Sequence, residues 1–169
     1  MRFFEAHVPK QPKAAAERYL TYRLDVLSTG AIRMANEVYE AQCGLTVRDL
    51  RILRLVDDNP DITFSDLTEQ TRFERSLASR LLQGLIQAGL IERTNSASDA
   101  RVFHLQTTDA GKERRRLAAR VGAKLETHLL KPLNDTQRAQ LFELIEMLTE
   151  WVYGDATTKL DADLTGRDG

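Results

Sequence analysis

The chain has 169 residues, of which 42% are hydrophobic and 29% charged, and its formal net charge is −1. This length fits one domain with or without an extension, and the absence of any run of about 18 apolar residues excludes a membrane-spanning helix. The start of the chain lacks the apolar core of a secretory signal, and the single cysteine, Cys43, cannot form an internal disulfide, so we expect a cytoplasmic protein.

A long helix is the first predicted element, from about Lys13 to Gln42. Leucine, alanine and valine recur along it at steps of three and four, which is the spacing of one face of an α-helix. Gly30 interrupts this pattern and would allow a bend, and Gly44 is expected to end the helix.

Three shorter helices are predicted in the middle of the chain. Thr46 with Asp49, and Thr63 with Asp66, place a hydroxyl and a carboxylate three residues apart, which marks the starts of the first two. An Asn-Pro-Asp segment separates these two helices. The third covers residues 75–88 and is expected to end at a glycine.

A β-hairpin follows these helices. Residues 90–95 are too few and too β-prone for another helix, residues 96–99 have the composition of a turn, and residues 101–106 alternate between side chains of two faces. Two short helices followed by a hairpin are typical of a winged helix-turn-helix.

Two more helices complete the predicted elements. Thr107 or Thr108 caps one that extends to about Leu130, and Asn134 with Gln137 caps the last. The first and last helices carry long apolar stripes with little globular core to cover, which indicates packing against a second copy of the chain.

The predicted fold is therefore mainly α with a small β-hairpin. Its expected divisions are an N-terminal dimerisation helix at 1–45, a winged helix-turn-helix DNA-binding domain at 46–108, C-terminal dimerisation helices at 109–153 and an acidic polar tail at 154–169.

Charge is distributed unevenly along the chain. Residues 72–120 hold ten cations and five acids, a net charge of +5, so the remainder carries −6. A basic middle between acidic flanks is typical of a surface that binds nucleic acid. An ordinary solvated helix surface would leave the same pattern, so charge alone does not decide.

The helix at 75–88 has a face that suits DNA. Its leucines fall on one side, while the opposite arc, here named the reading face, consists of Ser76, Ser79, Arg80, Gln83 and Gln87. Arginine can bond guanine at two atoms and glutamine can do the same with adenine. Exposed helix faces usually mix Glu with Lys, so the lack of both in this arc favours DNA binding.

The hairpin tip is the second candidate contact. It reaches past the preceding helix, and Arg101 on a thin wing suits the narrow, electronegative minor groove. Asp99 would orient Arg101 or shape the turn. The full set of predicted DNA-binding residues is Ser65, Arg75, Ser76, Ser79, Arg80, Gln83, Asp99 and Arg101.

These segments together resemble a MarR-type winged helix-turn-helix transcriptional regulator. The resemblance is carried by GLTVRDLRILRLV at 44–56, FSDLTEQTRFERSLASRLLQGLIQAGLIER at 64–93 and SDARVFHLQTTDAG at 98–111. Within them, Asp99 and Arg101 match a D-x-R wing motif, Gly89 begins a G-L-[IV]-x-R entry to the wing, and Thr108 with Gly111 matches a T-x-x-G helix start.

The resemblance implies a homodimer that binds a pseudo-palindromic operator, as a repressor released by a small effector, an aromatic acid or phenol being the expected class. Two positions depart from the pattern. Glu74 stands where Asp or an amide is usual before the reading helix, and Thr107 stands where leucine is usual.

An effector site is predicted on the first helix, where an arginine near a tyrosine could hold a carboxylate and stack an aromatic ring. The candidates are Arg18, Tyr22, Arg23 and Tyr39. The alternative is that these arginines pair with acids such as Glu17, Asp25 or Glu37, or face solvent.

Other functions are weighed against this one. A thiol redox sensor would use Cys43, which stands at the end of the first helix and needs access and a lowered pKa. A winged helix that binds another protein would tolerate acids on the reading face. An enzyme is not indicated, because the sequence contains no nucleophile–base motif and no glycine-rich phosphate loop. The three histidines lack the spacing of metal ligands, and no cofactor is expected.

Overall fold

The computed structural model describes residues 19–95 and 103–154. The elements within these ranges are α1 (Leu20–Cys43), α2 (Val47–Asp58), β1 (Ile62–Thr63), α3 (Phe64–Thr71), α4 (Arg75–Gln87), β2 (Ile91–Asn95), β3 (Phe103–Thr107), α5 (Asp109–Leu129) and α6 (Asp135–Tyr153). The mainly helical fold with a small sheet is confirmed. None of the helices described is both long and apolar enough to cross a membrane.

Two compact units make up the chain, one through Leu125 and one from Glu126 onward. The first contains a core in which α2 packs against α3 and α4 and against the sheet. Its largest fully buried side chains are Ile52, Leu53, Leu67, Leu85, Ile91, Leu105, Val56, Thr71 and Cys43. The second contains α6, which has no buried residue.

The predicted helix starts are confirmed in atomic detail. Thr46 and Asp49 form a capping box, in which the threonine hydroxyl oxygen accepts from the Asp49 amide at 3.2 Å and the Asp49 carboxylate accepts from the Thr46 amide at 2.8 Å. Thr63 caps α3 by accepting from the Asp66 amide at 3.2 Å. Asn134 and Gln137 form a second capping box at α6.

The sheet has three strands in the order β1-β3-β2, not the two of the predicted hairpin. Ile62 pairs with Leu105 and Thr63 with His104, so the residues before α3 add an edge strand to the hairpin. Asp61, at φ 67°, ties this edge to β3, because its amide donates to the Leu105 carbonyl at 3.1 Å. A strand of two residues is too short to show alternation, which is why the sequence pattern misses it.

A close backbone approach joins α4, β2 and α5. The Thr108 hydroxyl donates to the Gly89 carbonyl at 2.7 Å and accepts from the Gly111 amide at 3.1 Å, so Thr108, not Thr107, caps α5. A Cβ at Gly111 would lie 2.1 Å from the Leu90 carbonyl oxygen. Only glycine fits there, which explains the T-x-x-G spacing physically.

Thr107 occupies an unfavourable position beside this junction. Its hydroxyl oxygen is buried and has no hydrogen-bond partner among the described residues. A buried unsatisfied hydroxyl costs roughly 1–3 kcal/mol. Threonine at position 107, where the family pattern has leucine, therefore places an unpaired hydroxyl in a buried position.

We expect Thr107→Val to raise the free energy of unfolding by about 1 kcal/mol, because it keeps the shape and removes the unsatisfied hydroxyl. The neighbouring Thr108→Val should lower it by about 1 kcal/mol, because it removes the cap of α5. Urea unfolding followed by circular dichroism, at equal protein concentration, measures both. If Thr107→Val lowered the free energy of unfolding, the Thr107 hydroxyl would not be the unsatisfied group described above.

Candidate nucleic-acid interface

Helix α4 buries one face and exposes the other. Ala78, Leu82 and Leu85 are buried against the core, and Leu77 and Leu81 are half-buried. On the reading face, Ser76, Arg80, Gln83 and Gln87 are exposed and Ser79 is half-buried. Ala88, just beyond the end of α4 at Gln87, is exposed. No carboxylate lies anywhere between Arg75 and Gln87.

The first turns of α3 and α4 form one surface. The guanidinium of Arg75 lies 5.0 Å from the ring centroid of Phe64, the first residue of α3, a cation–π distance. Ser65 follows Phe64 and is exposed. The structure therefore brings predicted residues from both helices together, with Arg75 held in place by an aromatic ring.

A tight turn joins α3 to α4. Thr71 is buried and its hydroxyl donates to the Leu67 carbonyl at 2.7 Å. Arg72 then adopts a left-handed conformation at φ 56° and its amide donates to the Thr68 carbonyl at 3.0 Å, which ends α3. This arrangement sets the angle at which α4 leaves the core.

The wing, defined as residues 91–107, is described at its base only. Asn95 pairs with Phe103 and Arg93 with Leu105 in antiparallel register. The Arg93 guanidinium lies 5.1 Å from the Phe103 ring centroid, so the base of the wing also carries a positioned cation. Asp99 and Arg101 lie outside the described residues, and their predicted roles stay predictions.

Much of the basic window at 72–120 is engaged inside the molecule. On α5, Arg115 forms ion pairs with Asp57 and, at 2.6 Å, Asp58, and its hydrogen bond to Asp57 raises the pKa of the guanidinium. Arg114 donates to the Cys43 carbonyl, and Arg116 pairs with Glu113 at 2.6 Å. Arg114 and Arg115 of α5 thus join α5 to other elements of the fold, whereas no ion pair within the described residues involves Arg75 or Arg80.

The predicted effector residues are not brought together within one chain. Tyr22 and Arg23 lie on the exposed first half of α1, whereas Tyr39 is buried beside Gly122. Tyr22 and Tyr39 are separated by about 25 Å along the helix axis. Arg18 lies outside the described residues.

A recess of about 410 Å³ opens instead where α1 meets α2. It is lined by Thr29, Ile32, Arg33, Asn36, Glu37, Glu40 and Arg48. Asn36 links the two helices here, since its side-chain oxygen accepts from the Val47 amide, at the first residue of α2, at 2.9 Å. The sequence of α1 alone does not show which of its side chains the rest of the chain covers. It therefore did not show that Tyr39 is buried, or that the recess lies elsewhere on the helix.

Cys43 is buried, with 2% of its surface exposed. Burial raises the pKa of its thiol, and nearby Arg114 offsets this in part. A protonated, inaccessible thiol reacts poorly with peroxides. The environment of Cys43 therefore argues against the redox-sensing alternative.

His104 has a structural position in the wing. Its Nδ1 donates to the Asp61 carbonyl at 2.8 Å, from the strand β3. Within residues 19–95 and 103–154, no group of His, Cys, Asp and Glu could hold a metal ion.

Comparison with known proteins gives a consistent family. A family model described as MarR family matches residues 44–102. The chain is 23% identical over 95 residues to the HTH-type transcriptional regulator BilQ of Clostridioides difficile, a match that spans 56% of this chain and 64% of that protein. It is 32% identical over 72 residues to the HTH-type transcriptional regulator FarR of Neisseria gonorrhoeae, which spans 43% of this chain and 49% of FarR.

Solved structures share the fold. A mutant of MarR from E. coli complexed with operator DNA matches with a TM-score of 0.70 at 22% identity, over 76% of this chain and 92% of that one. The PcaV transcriptional regulator from Streptomyces coelicolor, in complex with its natural ligand, matches with a TM-score of 0.72 at 19% identity, over 82% and 97%.

Proposed function

Because the chain belongs to the MarR family, we propose that it regulates transcription by binding duplex DNA through α4. The observation that carries this proposal is the reading face, which is exposed, free of carboxylates and backed by a buried apolar side. Such a face can approach phosphates without repulsion and can bond base edges in the major groove. The MarR mutant of similar fold, which is complexed with operator DNA, supports this assignment.

Each predicted DNA-binding residue except the half-buried Ser79 has a proposed part in binding. Arg80 and Gln83 are long enough to reach base edges from the middle of α4, and they carry the paired donors or acceptors that discriminate bases. Ser65, Arg75 and Ser76, at the first turns of α3 and α4, are placed to hold phosphates on either side. Asp99 and Arg101 would extend contact to the minor groove.

A second copy of the chain is part of the proposal. Large apolar side chains on α1 and on α6 are exposed within the described residues. On α6 they are Phe142, Leu144, Ile145, Met147, Leu148, Trp151, Val152 and Tyr153. Exposure of so much apolar surface to water is unfavourable in free energy, and a symmetric dimer would bury that surface. Two copies would present two reading helices about 34–36 Å apart, to successive major grooves.

We expect Arg80→Ala to weaken binding to a preferred duplex by about 1–3 kcal/mol and to relax base preference at one position per half-site. The duplex is obtained by repeated selection from a random pool, and affinity is measured by fluorescence anisotropy. Arg80→Lys should keep the salt dependence but lose the preference, because lysine lacks the forked donors.

Arg120→Ala, on the exposed surface of α5, is the matched control and should leave affinity unchanged. Equal weakening of preferred and random DNA by Arg80→Ala would make Arg80 a phosphate contact and would contradict its proposed role. Failure of the wild-type chain to bind any duplex at low salt would overturn the function itself.

The dimer is tested on α6. Leu144→Glu combined with Leu148→Glu should give a folded monomer by light scattering, because four leucine side chains per dimer lose burial of about 1.5 kcal/mol or more each. Helix content, measured by circular dichroism, should be retained, since both side chains are exposed within one chain. Glu143→Ala with Glu146→Ala is the control. A stable dimer in the Leu variant would place the interface elsewhere.

Response to a small effector is the second part of the proposed function, with an aromatic acid or phenol as the expected class. The recess between α1 and α2 is the candidate place for it, because the guanidiniums of Arg33 and Arg48 and the Ile32 side chain line it beside the carboxylates of Glu37 and Glu40. The Asn36–Val47 hydrogen bond at its wall connects α1 to the first helix of the DNA-binding part. A ligand that binds a differently spaced state more tightly would lower DNA affinity.

A thermal-shift screen of aromatic acids and phenols, with and without DNA, should find a compound that stabilises the free chain and releases DNA. Arg48→Ala should weaken that compound roughly ten- to a hundredfold, as expected for loss of a charged hydrogen bond. Tyr22→Ala is the control. If Tyr22→Ala weakened binding of the compound and Arg48→Ala did not, the ligand would lie at the residues predicted from the sequence of α1.

A further inference from the structure

Helix α2 carries a row of arginines that the helix-turn-helix surface does not include. Arg48, Arg51 and Arg54 recur every three residues, and all three are exposed. Within residues 19–95 and 103–154, none of them forms an ion pair. The row lies outside the basic window of the sequence, and its charge is free to attract a polyanion.

Within the described residues the acids of α2 form no ion pair with this row, and each of them has another partner. Asp49 accepts from the amide of Thr46 and from its hydroxyl, the latter at 2.6 Å, in the capping box. Asp57 and Asp58 both pair with Arg115 of α5. The carboxylates of α2 therefore have partners elsewhere in the chain, whereas the three guanidiniums of the row make no ion pair within the described residues.

Arg51 is the member of the row that lies beside the reading helix. Its guanidinium is 5.1 Å from the ring centroid of Phe73, in the turn that joins α3 to α4. Two residues later in the chain, Arg75 is held over Phe64 in the same manner, at 5.0 Å. The end of α4 that carries Arg75 thus has a second guanidinium, held on a ring and supplied by a different helix.

Its neighbours in the row have further surroundings of their own, although Arg54 lines one recess together with Arg51. Arg54 has its Nη2 atom 3.8 Å from the position of a Cβ at Gly122, so it lies toward α5. Arg48 lines the recess between α1 and α2. Glu74, the nearest carboxylate in sequence to Phe73, makes no ion pair among the described residues.

We propose that Arg51 binds a phosphate of the DNA backbone beside the major groove that α4 enters, with Phe73 positioning its guanidinium. This inference rests on the proposed function, since it needs α4 in the groove. A phosphate contact carries no base information but fixes the register of the protein on the duplex. A guanidinium that already rests on an aromatic ring loses little conformational freedom on binding.

The experiment measures salt dependence with a fluorescent random-sequence duplex of roughly 30 base pairs and with the selected duplex, between about 50 and 200 mM salt. Arg51→Ala should weaken both duplexes by the same factor and reduce the slope of log affinity against log salt by about 2 per dimer, one for each lost contact. Arg51→Lys should restore the slope because it restores the charge.

Phe73→Leu keeps the charge and removes the ring, so it should retain the slope and weaken both duplexes about two- to fivefold. Arg54→Ala removes the same charge one turn away and should change slope and affinity much less than Arg51→Ala does, because Arg54 lies toward α5. Thermal unfolding of each variant verifies that the fold is kept.

Two results would overturn the inference. An unchanged slope in Arg51→Ala, while Arg80→Ala loses base preference, would refute the phosphate contact and leave the proposed function standing. An equal loss of slope in Arg54→Ala would mean that the row acts through its overall charge and not through a positioned contact. A wild-type chain that binds neither duplex would remove the proposed function together with this one.

Discussion

The packing of α4 against α2 determines which side chains this protein presents to a partner. Ala78, Leu82 and Leu85 fill the interface with the core, and a helix buried along one stripe must turn the opposite stripe outward. Ser76, Arg80, Gln83 and Gln87 of the reading face are exposed for that reason, and Ser79 is half-buried. The turn at Arg72 and the cap at Thr63 then fix the direction of the helices. Burial of the apolar side of α4 therefore determines which polar side chains are available to bind a partner.

Local features of this fold could be predicted from sequence because their causes are local. The caps of α2, α3 and α6 each need two residues three positions apart, and Gly44 and Gly89 end helices through their own left-handed conformations. The amphipathic stripe of α4 also lies within one segment. The residues that cause these elements lie within the elements themselves, so the sequence pattern predicts them correctly.

Features that depend on distant partners could not be predicted. The pairs of Arg115 with Asp57 and Asp58 join residues almost sixty positions apart, and only the fold shows that they occupy part of the basic window. Tyr39 is buried for the same reason: α1 gives no sign of what packs on it. Strand β1 exists only because β3 lies beside it. Likewise, only the fold shows that Arg48, Arg51 and Arg54 make no ion pair in the part of the chain that the structure describes, since Asp57 and Asp58 pair with Arg115 instead.

The contact between Gly111 and the Leu90 carbonyl has a mechanical consequence. Backbone meets backbone there, with no side chain between them that could change rotamer and absorb a displacement. A shift in the first turn of α5 must therefore carry the corner after α4 and the start of β2 with it. We therefore expect the first turn of α5 and the corner between α4 and β2 to keep their mutual position when this protein changes conformation.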